Sequence, residues 1–280
     1  MQQKEKVINY YNATHIDYRA LWSGDIDRAI HFGFYDDLAK NHRTAGLRLN
    51  QVLAEKVHIE DSDIVIDAGC GYGGSAFWLA EKIGCKVFGI TLVPFQVVKG
   101  QRYLKERKLE DKVEILEMDF SNTTFDNESF SVYWALESLV HAENRADVLK
   151  EAYRLLKPGG RIVIAEYTLR EKPPLSDNDK MYLHRWLKGW AMPELLGAGE
   201  YYKKLQEAGF KQIEIQNVSE NVRPSLRRLE ILSILNFPIA FFIAPFFFKK
   251  ERLQNYYASW RQIKALKRGL WEYSIIVAQK

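Results

Sequence analysis

Three side chains stand out as able to move a proton or steady a developing positive charge. Glu137 and His141 lie in the stretch ALESLVHA (135–142), four residues apart, so a helical turn would put them on one face. Glu166 directly follows the apolar run Arg161–Ala165. A histidine or carboxylate within hydrogen-bond reach of a hydroxyl can take its proton. The same groups, with aromatic faces, can stabilise a carbocation. The trio therefore leaves the reacting atom open. No GxSxG nucleophile context occurs, and His15, His42, His58 and His184 have no partner at metal-ligand spacing. No metal is expected.

A second chemical signal precedes these residues. Ile64–Gly74 reads IVIDAGCGYGG: an apolar run, an acid at its end, then four glycines before a helical pattern. Glycine lets the backbone turn tightly and approach a ligand closely, because no Cβ intervenes. Gly69, Gly71 and Gly74 fit GxGxxG, which alone is a weak signal. A dinucleotide site would place an acid about 20 residues further on, to hold the ribose. The corresponding run ends instead in Gly89-Ile90-Thr91-Leu92.

The elements that must position these groups follow from the apolar rhythm. Runs at Ile64–Asp67, Lys86–Ile90, Val113–Met118, Ser131–Ala135 and Arg161–Ala165 are mostly apolar on both parities, as in parallel strands covered on both faces. Helical patterns at Gly74–Ile83, Pro94–Arg107 and Arg145–Leu156 separate them. The alternation predicts a doubly wound, Rossmann-like α/β fold. Residues 1–60 read as amphipathic and helical, and residues 61–170 as the α/β core. In 171–280, two further strands (Gly209–Asn217 and Glu272–Ala278) are interrupted by helical segments that form a cover, the whole being one structural domain. The 280 residues are 47% hydrophobic and 27% charged with a net charge of +4. That excludes a disordered chain and gives no basis for nucleic-acid binding.

The runs VIDAGCGYGG, GITLVPFQ, EMDF and LLKPGGRIVIAE, in this order, resemble the class I S-adenosylmethionine-dependent methyltransferases. Within them they are similar to the branch holding sterol, tocopherol and prenyl-diphosphate methyltransferases, cyclopropane-fatty-acid synthases and natural-product sugar O-methyltransferases. The resemblance spans roughly residues 10–220. It implies S-adenosyl-L-methionine as cofactor, with Asp67, Gly69 and Gly71 at the methionine part and Thr91, Leu92 and Gln96 at the ribose. It further implies Asp119 and Phe120 at the adenine and Leu136 beside the cofactor. The segment His31-Phe32-Gly33, with Tyr18 and Trp22, would fold over the methionine end. Glu137 and His141 would line the acceptor pocket, with Glu166 assisting.

The run Ile231–Phe248 has 18 residues without a charge, broken by Pro238 and Pro245. It reads as a buried cover or an interface with a second copy, then as peripheral membrane contact, and last as a membrane span. With Tyr182, Trp186, Trp190, Tyr201, Tyr202 and Trp260 it suggests an aromatic pocket for a small lipophilic acceptor. The expected activity is methyl transfer to carbon or oxygen of an isoprenoid or other natural product. The alternatives are methylation of a membrane lipid, as in cyclopropane synthases, and a non-catalytic binding protein on this fold. The opening residues lack the apolar run of a signal peptide, so a cytoplasmic, membrane-peripheral at most, location is expected.

Overall fold

In a computed structural model, residues 2–21, 30–171, 174–235 and 250–280 are described. Helices α1 (Gln3–Leu21) and α2 (His42–Lys56) precede β1 (Ile64–Ala68), α3 (Gly74–Lys82), β2 (Lys86–Thr91), α4 (Pro94–Arg107) and β3 (Val113–Glu117). Then come β4 (Phe130–Leu136), a 3-10 turn (Leu139–His141), α5 (Arg145–Leu155) and β5 (Leu156–Leu169). The chain ends with α6 (Asp177–Gly189), α7 (Ala198–Ala208), β6 (Lys211–Asn217), α8 (Ser219–Leu235), α9 (Lys250–Lys267) and β7 (Trp271–Gln279).

The strands form one sheet in the order β3-β2-β1-β4-β5-β7-β6. β1 to β5 are parallel, and β7 is antiparallel to both its neighbours. Alternate residues feed opposite faces, which explains why neither parity is polar. Val65, Val87, Val132 and Val163 pack with Leu53 of α2, Phe77 of α3 and Leu104 of α4. Ile66, Tyr133 and Ile162 pack with Val148, Leu149 and Ala152 of α5 and Leu205 of α7. The chain steps outward from β1 to β3, then returns to start β4 on the other side of β1. That reversal separates the carboxyl ends of β1 and β4, the place where open α/β sheets take ligands.

Two further features position the site. β5 and β7 pair over nine residues from Arg161↔Gln279 to Leu169↔Trp271, so Tyr167 and Tyr273 stand side by side on one face. α9 crosses α6 closely: a Cβ on Gly189 would lie 2.6 Å from the Cβ of Ala258. Only a glycine allows that approach, and it brings α9 over the sheet edge.

Of the apolar run Ile231–Phe248, residues 236–248 lie outside the described residues. Its first part is the end of α8, where Ile231, Ile234 and Leu235 are exposed. Among the described residues, no helix is long and apolar enough to cross a membrane.

Candidate cofactor and acceptor site

The β1–α3 loop is built on left-handed backbone. Gly69, Gly71 and Gly73 have φ of 90°, 57° and 91°, and the amides of Gly69 and Cys70 both donate to the Ile90 carbonyl at 2.9 and 3.0 Å. The glycines serve different ends. A Cβ on Gly69 would lie 2.3 Å from the Cβ of Ser138, whereas one on Gly71 would meet only Ile30, at 3.4 Å. Gly69 is needed for packing between the two strand ends; Gly71 leaves its backbone open to a ligand. Both border a cavity of about 430 Å³, together with Asp67, Thr91, Leu92, Gln96, Asp119, Phe120 and Leu136. Glu137, His141 and His31 complete the predicted residues that the fold brings together there.

Asp67 is 2% exposed, and its Oδ2 has no partner among the described residues. Burial pushes its carboxyl up to about 7, although the Ala76 amide favours the charged form. A buried carboxylate lacking a cation is a costly arrangement unless a ligand supplies one. The sign of the pH effect follows. In the folded state Asp67 keeps its proton up to about 7, so its stability contribution is full below the unfolded value near 4 and is lost as pH rises through 7. Without ligand, the wild type should lose roughly 4 kcal/mol relative to Asp67→Asn between pH 4 and 8. Thermal melts of both proteins at pH 5 and pH 8 check this; parallel melts would contradict it.

Thr91 Oγ1 donates to Gln96 Oε1 at 2.7 Å, which locks the two buried side chains together at the end of β2. Asp119 accepts from the Ser121 amide and hydroxyl at 2.8 and 2.7 Å and pairs with Lys4 Nζ of α1 at 2.5 Å. Burial alone would raise its carboxyl, but Lys4 and Ser121 outweigh it and hold it below the ordinary value. A cation from the N-terminal helix thus stands on the acid expected to accept from an adenine.

On the acceptor side, Glu137 adopts φ 52° at the end of β4, which turns its side chain back over the sheet. Its Oε1 accepts from the Phe32 amide at 2.9 Å and the Tyr273 hydroxyl at 2.8 Å. Its Oε2 accepts from the Tyr167 hydroxyl at 2.7 Å. Burial still pushes the carboxyl up to about 7. Tyr167 also touches Phe32, Trp186, Trp190, Trp271 and Tyr273 edge-on, at centroid distances of 5.4 to 6.2 Å.

His141 closes the 3-10 turn. Its Nδ1 faces the Ala191 carbonyl at 3.4 Å; a carbonyl only accepts, so Nδ1 carries the proton and Nε2 the lone pair. The Tyr11 hydroxyl of α1 lies 3.0 Å from Nε2 and donates to it. Burial pulls His141 down to about 4, so the imidazole is neutral at pH 7. Two buried groups hold the turn: Glu166 Oε2 accepts from the Val140 amide at 2.8 Å, and Arg145 donates to the carbonyls of Val140 and Ala142 at 3.0 and 2.6 Å.

Three predicted residues fall outside the cavity wall. Glu166 is fully buried, its other oxygen accepts from the Tyr167 amide at 3.0 Å, and burial pushes it up to about 8. It faces backbone, not the cavity. Phe32 is fully buried and reaches the site by donating its amide to Glu137 and by packing edge-on against Tyr167. Gly33 packs on α2, where a Cβ would lie 2.6 Å from that of Ala45, and its amide donates to Ser225 Oγ at 3.0 Å. Trp22 and the side chain of Tyr18 lie outside the described residues. Conversely, sequence reasoning did not place Tyr10, Tyr11, Tyr167 and Asn255 in the wall. Met192 and Leu229 join them there, as does Trp190, the one of the six pocket aromatics expected from the sequence that lines this cavity; Tyr182, Trp186, Tyr201, Tyr202 and Trp260 do not. The YY pair in the aromatic opening was the only local signal; Asn255 had none.

Residues 66–164 match the family described as "Methyltransferase domain". The chain is 31% identical over 196 residues to the 27-O-demethylrifamycin SV methyltransferase of Amycolatopsis mediterranei, covering 70% of this chain and 71% of that protein. The chain belongs to the class I S-adenosylmethionine-dependent methyltransferases. The cofactor of this family member is S-adenosylmethionine, as its motifs implied. It is also 29% identical to a probable tocopherol O-methyltransferase of Oryza sativa, over 79% of this chain. The methyltransferase chain spans 64% of the rice protein's length. The cyclopropane synthase MmaA2 of Mycobacterium tuberculosis has the same fold, with a TM-score of 0.82 at 15% identity, covering 100% of this chain and 99% of that one.

Proposed function

We propose that this chain methylates a hydroxyl oxygen of a small lipophilic acceptor, with Tyr11 and His141 receiving the hydroxyl proton. The observation that carries the reading is the neutral His141, whose Nε2 lone pair meets a phenol inside a wall built from Val7, Leu136, Val140, Tyr167, Trp190 and Met192. Such a wall suits an apolar molecule.

The residues of the first half fit the cofactor. Asp67 offers a buried carboxylate to a cationic group, and the Gly71 backbone a surface without a Cβ. Thr91 and Gln96 offer hydroxyl and amide groups, and Asp119 an acceptor for a ligand amine beside its pairing with Lys4. S-adenosylmethionine supplies an electrophilic methyl on a sulfonium, so the chain's main work is alignment. Tyr11 accepts the acceptor's proton as its own passes to His141 Nε2, and the methyl ether leaves a neutral phenol and an imidazolium. The imidazolium is disfavoured by burial and gives its proton up to water. Glu166 and Arg145 are positioning residues: they fix the Val140 peptide on both sides, and through it His141. Glu137 ties the 31–33 segment to β5 and β7.

A second reading, methylation at an alkene carbon, draws on the aromatic faces of Tyr167 and Trp190 beside Glu137, which suit a carbocation. Incubation with S-adenosylmethionine and a panel of lipophilic phenols and alcohols, followed by NMR of the product, tests the choice. An O-methyl resonance is expected. A new C-methyl would overturn the oxygen assignment.

A further inference from the structure

The charge on the cavity wall constrains the acceptor beyond its being lipophilic. Six carboxyl side chains line the cavity: Asp17, Asp67, Asp119, Glu137, Glu143 and Asp147. Among the described residues, the one lysine or arginine in the wall is Lys4, and it is taken by Asp119 at 2.5 Å. Arg252, outside the wall, is taken by Asp17 at 2.6 Å. The two wall histidines, His31 and His141, are held neutral by burial, each down to about 4. A diphosphate or carboxylate entering here would lose water without gaining a cation, and would face Glu143 and Asp147 on the way in. A metal could carry such an anion past carboxylates. Among the described residues no group of three or more His, Cys, Asp or Glu forms a ready-made metal site, so a metal here would have to arrive with the anion, held by one or two carboxylates.

A neutral polar spot formed by Tyr10, Asn255 and Ser259 adjoins the apolar part of the wall. The Tyr10 hydroxyl donates to Asn255 Oδ1 at 3.1 Å, and Ser259 Oγ donates to the Asn255 carbonyl at 3.1 Å. All three residues line the cavity. In this arrangement the Tyr10 hydroxyl occupies the carboxamide oxygen. The amide N–H groups of Asn255 face away from Tyr10, and no described residue accepts from them. A donor in the cavity wall favours a ligand that brings an oxygen over one that does not.

We infer that the acceptor is an electrically neutral molecule carrying, besides the hydroxyl to be methylated, a second oxygen that takes a hydrogen bond from Asn255. This rests on the methyltransferase reading above and narrows it: prenyl diphosphates and lipophilic carboxylic acids are disfavoured, and hydroxylated quinols, polyketides or terpenoids with a further carbonyl or hydroxyl are favoured.

The test uses the full chain saturated with S-adenosylhomocysteine, whose own binding is measured first. Matched pairs are then titrated: farnesol against farnesyl diphosphate, and a prenylated quinol against its carboxylated counterpart, each with and without magnesium. The neutral member should bind at least about tenfold more tightly in each pair, and the quinol, with its second oxygen, more tightly than farnesol. Asn255→Leu should weaken the quinol by about tenfold or more and farnesol by far less. Asn255→Asp, which still accepts from Tyr10, should weaken the quinol similarly and controls for misfolding. S-adenosylhomocysteine should bind both variants as it binds the wild type. Charged members binding as well as neutral ones, or no neutral member binding, would overturn the inference and leave the cofactor reading standing. Failure of S-adenosylhomocysteine to bind would bring down both.

Discussion

Gly71→Ala is expected to lower affinity for S-adenosylhomocysteine by about 100-fold or more while the protein stays folded. The added Cβ has space in the protein, since Ile30 at 3.4 Å is its nearest neighbour. Its φ of 57° is open to alanine at about 1 kcal/mol. The methyl group therefore costs the fold little and projects where a ligand must meet the backbone. Gly69→Ala makes the contrast: its Cβ would stand 2.3 Å from that of Ser138, so stability and binding should fail together. Thermal melts paired with calorimetric titration separate the two. Wild-type affinity in Gly71→Ala would remove this loop from the cofactor site.

His141→Ala should reduce kcat by about 10²- to 10⁴-fold, the range for losing a proton acceptor, with S-adenosylhomocysteine affinity within about threefold of wild type. The asymmetry arises because Nε2 meets Tyr11 on the acceptor side, away from Asp67 and Thr91. Tyr11→Phe keeps the ring and removes the hydroxyl, so it should fall in kcat as well and leave the cofactor untouched. Single-turnover rates with saturating cofactor measure both. An unchanged rate in His141→Ala would take the imidazole out of the mechanism.

The architecture was legible in the sequence because burial on both sheet faces forces both parities of β1 to β5 to be apolar. Local turn chemistry likewise marks Gly69, Gly71 and Gly73. The strand ends that carry Asp67, Thr91, Asp119 and Glu137 then had to meet, since a parallel sheet puts all its carboxyl ends on one side. Glu166 shows the limit of that logic: a strand-end acid reads as a site residue, yet besides the amide of its neighbour Tyr167 it accepts from Val140, in a turn that sequence spacing cannot bring to it. Tyr273 was out of reach because its contact with Glu137 depends on the register of β7 against β5. Asn255 depended on how closely α9 crosses α6, which a glycine at 189 permits and no local pattern announces. Arg145 looks like an ordinary helix-start residue until its guanidinium is found buried against two carbonyls of the His141 turn.

The central claim is that the cavity between the ends of β1 and β4 holds S-adenosylmethionine. Calorimetric titration of the full chain with S-adenosylhomocysteine at pH 7.5 tests it most directly, with Gly71→Ala as the folded control. Saturable one-to-one binding in the micromolar range (Kd about 1 μM corresponds to −8.2 kcal/mol), abolished in the variant, is the predicted result. Absence of binding in the folded wild type, or equal binding in Gly71→Ala, would contradict it.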